Sequence, residues 1–317
     1  MLFHSSKKPV ELQIIHLNKV KQKRQEQFEK IKNSEDGKKF CLSKLPFGKS
    51  NDKKSEKLSN DKSVYVLDFD GDIKASAVEN LREEISTIIG TAKAGDEVVL
   101  RLESGGGQVN SYGLAAAQLK RIKTAGLSLT VCVDKIAASG GYMMASVSDK
   151  VIASDFAIIG SVGVVSQLPN FHELMKKHNI GYEMFTAGEY KRTVTMFGEN
   201  TDEDRSKYQA EIDRIHQLFK QFVKKHRPNL DVDKIATGEF WFATDALELN
   251  LIDEIGTSDS YLLSLMKHYN VFSLQSRSKP NLMEKLGLTE QMNASIKAAA
   301  ESATVSVAKL ISQFQRP

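Results

Sequence analysis

Between residues 64 and 160 the hydrophobic pattern switches repeatedly between two periods, and few folds accept such a chain. VYVLDF (64–69) is a short apolar, β-branched run. SAVENLREEISTIIGTA (76–92) follows, with Val78, Leu81, Ile85 and Ile88/Ile89 on one helical face. EVVLRL (97–102) is again strand-like, and the loop SGGG (104–107) leads into SYGLAAAQLKRIKTAG. Asn110 is the expected cap of that helix and Gly126 its stop. Leu127–Val133 and KVIAS (150–154) read as strands, and FAIIGSVGVVSQL (156–168) is an apolar run punctuated by glycine. Strands and helices alternating at this spacing are βαβ units, which predicts an α/β fold. The second half is more helical, with helices expected over 168–178, 201–226 and 243–250, a short strand at YEMFT (182–186), and another within LNLIDEIG (249–256).

Charge separates the N-terminal region from the rest. Residues 1–62 hold 16 Lys+Arg against 8 Asp+Glu, whereas the remaining residues hold 28 against 32. The net +4 of the whole chain therefore originates in this arm. Residues 15–32 read as a charged helix, and 33–62, rich in Lys, Ser, Asn and Asp, as a linker with little to bury. Such an arm suits a solvated segment, an anionic lipid surface or nucleic acid. Composition changes at Ser63, so the expected organisation is a basic arm and linker (1–62), a main domain (63–275) and a C-terminal helical extension (276–317). Within that extension, Ile296, Ala300, Ala303, Val307, Leu310/Ile311 and Phe314 recur at helical spacing.

No run reaches the ~18 apolar residues needed to span a bilayer. The opening MLFHSSKKPVELQ has too short an apolar stretch for a secretory signal. Cys41 and Cys132 cannot make a disulfide framework, and neither has the CxxC or His-rich setting of a metal site.

Two loops carry the candidate chemistry. SGGG (104–107) offers backbone amides that no side chain obstructs. IAASGGYMMAS (136–146) places Ser139 among alanines and glycines at an expected helix start. This serine has two readings at this point: an N-cap in a close-packed turn, or a nucleophile beside amides that receive developing negative charge. A nucleophilic serine needs a base. His4, His16, His172, His178, His216, His226 and His268 lie in the arm or on charged helices, and none stands in a prepared loop. A lysine serves instead if burial lowers it from ~10.4 to near 7, at a cost of about 4 kcal/mol. Lys191, in FTAGEYKRTVTMFGEN, follows a glycine and precedes a more apolar stretch, although Glu189 and Arg192 equally suit an ordinary exposed lysine.

VYVLDFDG, VVLRLESGGGQV, VDKIAASGGYMMAS, IIGSVGVV, TAGEYKRTVTMFGENT and NLIDEIGT occur in an order that resembles the S49 family of bacterial serine peptidases, the signal-peptide peptidase A group, and most closely its SohB branch. The resemblance covers about residues 10–275. It implies an α/β fold of the ClpP/crotonase type, built of repeated ββα units, and a Ser-Lys dyad. Carried over, Ser139 is the nucleophile, Lys191 the general base, and Ser161 the residue that orients the lysine. Gly106 and Gly140 form the oxyanion hole, with Gly107 as the alternative to Gly106.

The implied partners are a peptide or protein substrate, a homo-oligomeric ring and a membrane surface met through the basic arm. Nucleic acid, metal and cofactor are not expected. The implied location is the bacterial inner membrane. Two features depart from the family pattern. Gly105 stands where a proline is usual, and the membrane-spanning helix that usually precedes the basic arm is absent from this sequence. The rival readings are an acyl-CoA enzyme of the crotonase type, whose enolate two glycine amides would equally hold, and a non-catalytic membrane-associated scaffold.

Overall fold

The alternating segments fold into a sheet whose paired strands lie mostly parallel. The computed structural model describes residues 10–33, 62–188 and 190–278. The strands are β1 (Val10–His16), β2 (Ser63–Gly71), β3 (Glu97–Ser104), β4 (Ser128–Val133), β5 (Ile136–Ala138), β6 (Lys150–Ala153), β7 (Ile158–Gly160), β8 (Phe240–Phe242), β9 (Glu254–Ile255) and β10 (Asn270–Ser278). The helices are α1 (Leu17–Lys32), α2 (Val78–Thr91), α3 (Val109–Thr124), α4 (Gly140–Ser146), α5 (His172–Lys177), α6 (Asp202–His226), α7 (Val232–Ile235), α8 (Ala243–Glu248) and α9 (Ser258–Leu265). The order across the sheet is β1-β10-β2-β3-β4-β6-β9, with β5, β7 and β8 branching from β3. β7 and β8 pair antiparallel.

The chain divides into two units, Gln13–Gln275 and a discontinuous one of Met1–Leu12 with Ser276–Pro317. Of the latter, only residues 10–12 and 276–278 are described, as the ends of β1 and β10. The larger unit holds every described helix and the rest of the sheet.

Strand register explains why both faces of the sheet are apolar. Val66 pairs with Val99 and Val99 with Thr130, while Cys132 pairs with Ile152, so these residues share one face. Val64, Val66, Val99, Cys132, Ile152 and Val271 pack there against Leu262 and Leu265 of α9. One buried carboxylate interrupts that face. Glu97 accepts from Thr130 Oγ1 at 2.8 Å, Tyr261 OH at 2.6 Å and Lys62 Nζ at 3.1 Å, so its charge is fully partnered. Residues of the opposite parity, Leu67, Leu100 and Val131, are also wholly buried. Helices α2, α3 and α4 flank the sheet, and α2 buries Val78, Leu81, Ile85 and Ile88 as its spacing predicts.

Four sequence expectations need correction. The strand β1 precedes α1 inside the stretch read as a basic arm, and the His16 ring at its end stacks on Phe272 of β10 at 4.7 Å. Gln108, not Asn110, occupies the N-cap of α3, and no side chain makes the capping bond. Helix α5 is shorter than the expected 168–178, and the glycine-punctuated run 156–168 holds the short strand β7. Residues 182–186 form no strand; they are exposed and, among the described residues, find no sheet edge to pair with. The apolar spacing expected over 283–315 lies outside the described residues. No helix among the described residues is long and apolar enough to cross a membrane.

Candidate active site

Strand pairing brings three loops to one edge of the sheet. Ser104 pairs with Ala137, and Ala138 pairs with Gly160. The residues that leave β3, β5 and β7 therefore emerge side by side at the carboxyl ends of parallel strands, where α/β folds place their ligands. Those residues are the glycine loop 105–107, Ser139 and Ser161.

Ser139 sits between β5 and α4 with φ 53° and ψ −120°, a conformation that costs a non-glycine residue about 1–3 kcal/mol. Two backbone bonds hold it there. Its N–H donates to Gly160 O at 2.8 Å, and its carbonyl accepts from Met143 N–H at 2.9 Å. Although Ser139 is the N-cap of α4, its side chain makes no capping bond. The hydroxyl is thus left unused by the turn that strains it.

The small neighbours have a different explanation. A Cβ on Gly140 would lie 2.4 Å from Cγ of the buried Tyr112, and one on Gly141 would lie 2.4 Å from the Ser104 carbonyl oxygen. Packing requires the glycines but gives the serine hydroxyl no task. Ser161, one strand away, also has a positive φ (51°), and its N–H donates to Glu239 O at 2.7 Å.

The glycine loop lies directly against the Ser139 turn. Gly106 has φ +90°, and a Cβ there would fall 2.6 Å from Gly140 N, 2.7 Å from Ser139 Cβ and 2.8 Å from Ala138 O. A buried chain of hydroxyls fixes the loop from behind. Tyr112 OH donates to Asp72 O at 2.8 Å, which uses its one proton. Ser104 Oγ therefore donates to Tyr112 OH at 2.6 Å and accepts from Gly106 N–H at 3.1 Å. Burial raises the Tyr112 phenol above its ordinary range, which keeps that proton in place. The Gly106 amide is accordingly engaged. Among the described residues, the Gly107 and Gly140 amides donate to no backbone carbonyl outside regular elements and to no side chain.

These loops line a cavity of about 850 Å³, within the range of ligand sites. Gly105, Gly106, Gly107, Ser139, Gly140 and Ser161 form one side, and Ile215, His216 and Phe219 of α6 form another. Ser139, Ser161, Gly106, Gly107 and Gly140 thus meet in one place. Lys191 does not join them. It is exposed in the segment between α5 and α6, its N–H donating to Gly188 O at 3.2 Å, and it is not on the cavity wall.

The longer stretch to which that segment belongs, 164–188 and 190–201 with α5 inside it, is braced partly by its own residues. Asn170 Nδ2 donates to the carbonyls of Thr195 and Gly198, and Phe171 stacks on Phe197. Yet it leaves Val165 81% and Phe185 91% exposed.

Sequence reasoning missed His216, the one titratable side chain on the described cavity walls. The signal was its position on the stripe Ile212, Ile215, Phe219 and Val223, where an imidazole replaces an apolar residue. Cys132 is buried and its thiol is pushed up to about 12, first by burial and then by Asp134 and Glu97, so it is no rival nucleophile.

Residues 121–272 match peptidase family S49, and residues 2–119 match the N-terminal region of the same family. A Haemophilus influenzae protein named probable protease SohB is 55% identical over 244 residues, covering 76% of this chain and 69% of that one. A Buchnera aphidicola protein of the same name is 49% identical over 283 residues, covering 82% and 89%. The chain belongs to peptidase family S49. Within S49 it falls in the SohB branch, and it is a serine peptidase of that family. Membership of S49 decides between the peptidase and acyl-CoA readings in favour of the first.

Proposed function

We propose that this S49 peptidase is an endopeptidase with a Ser-Lys dyad, on a scaffold of the ClpP/crotonase type. The observation that carries the proposal is the Ser139 hydroxyl, held in a strained turn, free of capping duty, and facing a cavity walled by glycine backbone. A substrate segment lies extended along that wall and pairs with it through main-chain groups. Lys191 accepts the Ser139 proton as Oγ bonds to the scissile carbonyl carbon. The carbonyl oxygen becomes an oxyanion that accepts from the Gly140 N–H and from one amide of the glycine loop. Gly107 suits that role better than Gly106, because the Gly106 N–H already donates to Ser104 Oγ. The intermediate collapses to an acyl-enzyme as the C–N bond breaks, and the protonated lysine gives its proton to the leaving amine. Water activated by the same lysine then releases the acyl group and restores Ser139. Ser161 Oγ orients the lysine from the adjacent strand.

Lys191 reaches this cavity from a neighbouring copy in a homo-oligomeric ring. Two observations support this reading: the absence of Lys191 from its own cavity wall, and the apolar residues exposed on the segment that carries it. The basic arm lies against an anionic membrane surface, and the substrates are peptides or membrane-associated protein segments. Mixing Ser139→Ala and Lys191→Ala chains tests the shared site. Equal amounts that exchange freely should regain about a quarter of wild-type activity, since each heterologous contact pairs two intact residues one time in four. No recovery in a mixture shown by mass spectrometry to have exchanged would mean that each chain builds its own site.

A further inference from the structure

Tyr112 has no part in the proposed reaction and does not line the cavity, yet the segments around Ser139 converge on it. It lies wholly buried near the start of α3. Its ring packs against Gly140, where a Cβ would fall 2.4 Å from the ring Cγ. Its hydroxyl donates to Asp72 O and accepts from Ser104 Oγ, the atom that holds the Gly106 N–H. The next carbonyl after Asp72, Ile73 O, accepts the Gln108 N–H at 2.9 Å, and a Cβ on Gly107 would fall 2.2 Å from that oxygen. The glycine loop is thus gripped on both sides, and each grip leads back to one phenol. Gly71 shows how closely that phenol is seated, since a Cβ there would fall 2.6 Å from its oxygen.

We infer that Tyr112 is a positioning residue for the oxyanion hole: its ring seats Gly140, while its hydroxyl, through Ser104 and Asp72, seats the glycine loop. The hole needs such a brace. Donors stabilise an oxyanion only when they stand about 2.7–3.1 Å from it, and consecutive glycines have no side chains with which to hold that geometry. Gly140 and the glycine loop also lie on separate connections, after β5 and after β3. A side chain tied to both therefore sets the spacing between their amides. The role does not reduce to stability. Without the phenol oxygen, Asp72 O still accepts from Ala75 N–H at 2.9 Å, and Ser104 Oγ can turn its proton to Gly71 O at 3.4 Å. The buried polar groups keep partners while the tie between loop and ring is lost, so the hole suffers more than the fold. This inference rests on Ser139 being the nucleophile whose oxyanion those amides receive.

The test compares the full-length wild-type, Tyr112→Phe and Ser104→Ala proteins on one fluorogenic peptide and one peptide aldehyde. The aldehyde reports on the hole, because its oxygen becomes the oxyanion when Ser139 Oγ adds to its carbonyl carbon and the serine proton passes to Lys191. In both variants kcat should fall about 10- to 100-fold with KM within about twofold, and the aldehyde Ki should rise by a similar factor. The double variant should be no slower than the worse single one, because the two hydroxyls form one chain. Tyr142→Phe is the control, since that phenol is equally buried but donates to Leu251 O at 2.9 Å, in the turn between α8 and β9. It should lower Tm and leave kcat and Ki unchanged. Either test variant suffices if the other does not fold. Wild-type kcat and Ki in a folded Tyr112→Phe or Ser104→Ala protein would overturn the inference. So would losses that Tyr142→Phe reproduces, or a double-variant loss equal to the product of the single ones. A wild-type protein that does not label at Ser139 with a fluorophosphonate would instead refute the assignment of the nucleophile.

Discussion

Gly106→Ala is the substitution that the geometry of the two loops opposes most directly. At φ +90° an L-residue pays about 1–3 kcal/mol of backbone strain. The added methyl would also fall 2.6 Å from Gly140 N, 2.7 Å from Ser139 Cβ and 2.8 Å from Ala138 O. Two of these are backbone atoms in a buried turn, so relief requires the loops to part, at a further cost of about 1–3 kcal/mol. The smaller entropy of the unfolded chain returns about 0.4–1 kcal/mol. The net loss is about 1–6 kcal/mol, a fall in Tm of about 2–20 °C for a unit of this size. Parting the loops by about 1 Å also displaces the amides proposed to hold the oxyanion, which should lower kcat at least about 100-fold. Gly105→Ala is the internal control, because its Cβ would meet only Ile136 Cδ1, at an ordinary 3.8 Å. Scanning calorimetry gives the stability difference, and peptide hydrolysis per mole of folded enzyme, measured well below both melting temperatures, gives kcat. A Gly106→Ala enzyme with the Tm and kcat of Gly105→Ala would refute the claim that the loops are in close contact at Gly106.

Thr201 and Asp204 form a complete capping box at the start of α6, so Thr201→Ala should cost about 1 kcal/mol in urea denaturation without changing substrate preference. Burial lowers the pKa of both His16 and His226 from the usual 6.5, with Lys19 and Lys120 respectively adding to the effect. The unfolded chain then binds protons near pH 6.5 that the folded chain takes up only at lower pH. Stability is full above about pH 6.5 and falls as pH drops through the folded values. The urea midpoint should decline between pH 7 and pH 5, and less steeply in His226→Leu; equal slopes would remove His226 from the cause.

The part of the fold governed by local pattern was legible in the sequence. Leu81, Ile85 and Ile88 announced α2, and the β-branched runs announced β2, β3 and β4, because burial on one helical face or on both sheet faces leaves its period in the residue order. Residues 182–186 carried strand propensity but have no strand partner among the described residues, and pairing rather than propensity makes a strand. β1 was missed for the converse reason, since its place beside β10 joins residues more than 250 positions apart. Within the site, SGGG and ASGG were conspicuous, but their contact depends on the pairing of Ser104 with Ala137. The bracing of Gly106 through Ser104 and Tyr112, and the orphaned Nε2 of His216, are tertiary facts with no local signature.

Everything proposed for this cavity depends on the Ser139 hydroxyl being an activated nucleophile. Treating the full-length protein with a fluorophosphonate and mapping the adduct by mass spectrometry tests that directly. A single adduct on the peptide that contains Ser139 is predicted, absent in Ser139→Ala and strongly slowed in Lys191→Ala, with peptide hydrolysis lost in step. An active preparation that labels elsewhere, or a Ser139→Ala protein that still cleaves peptides at the wild-type rate, would contradict the account.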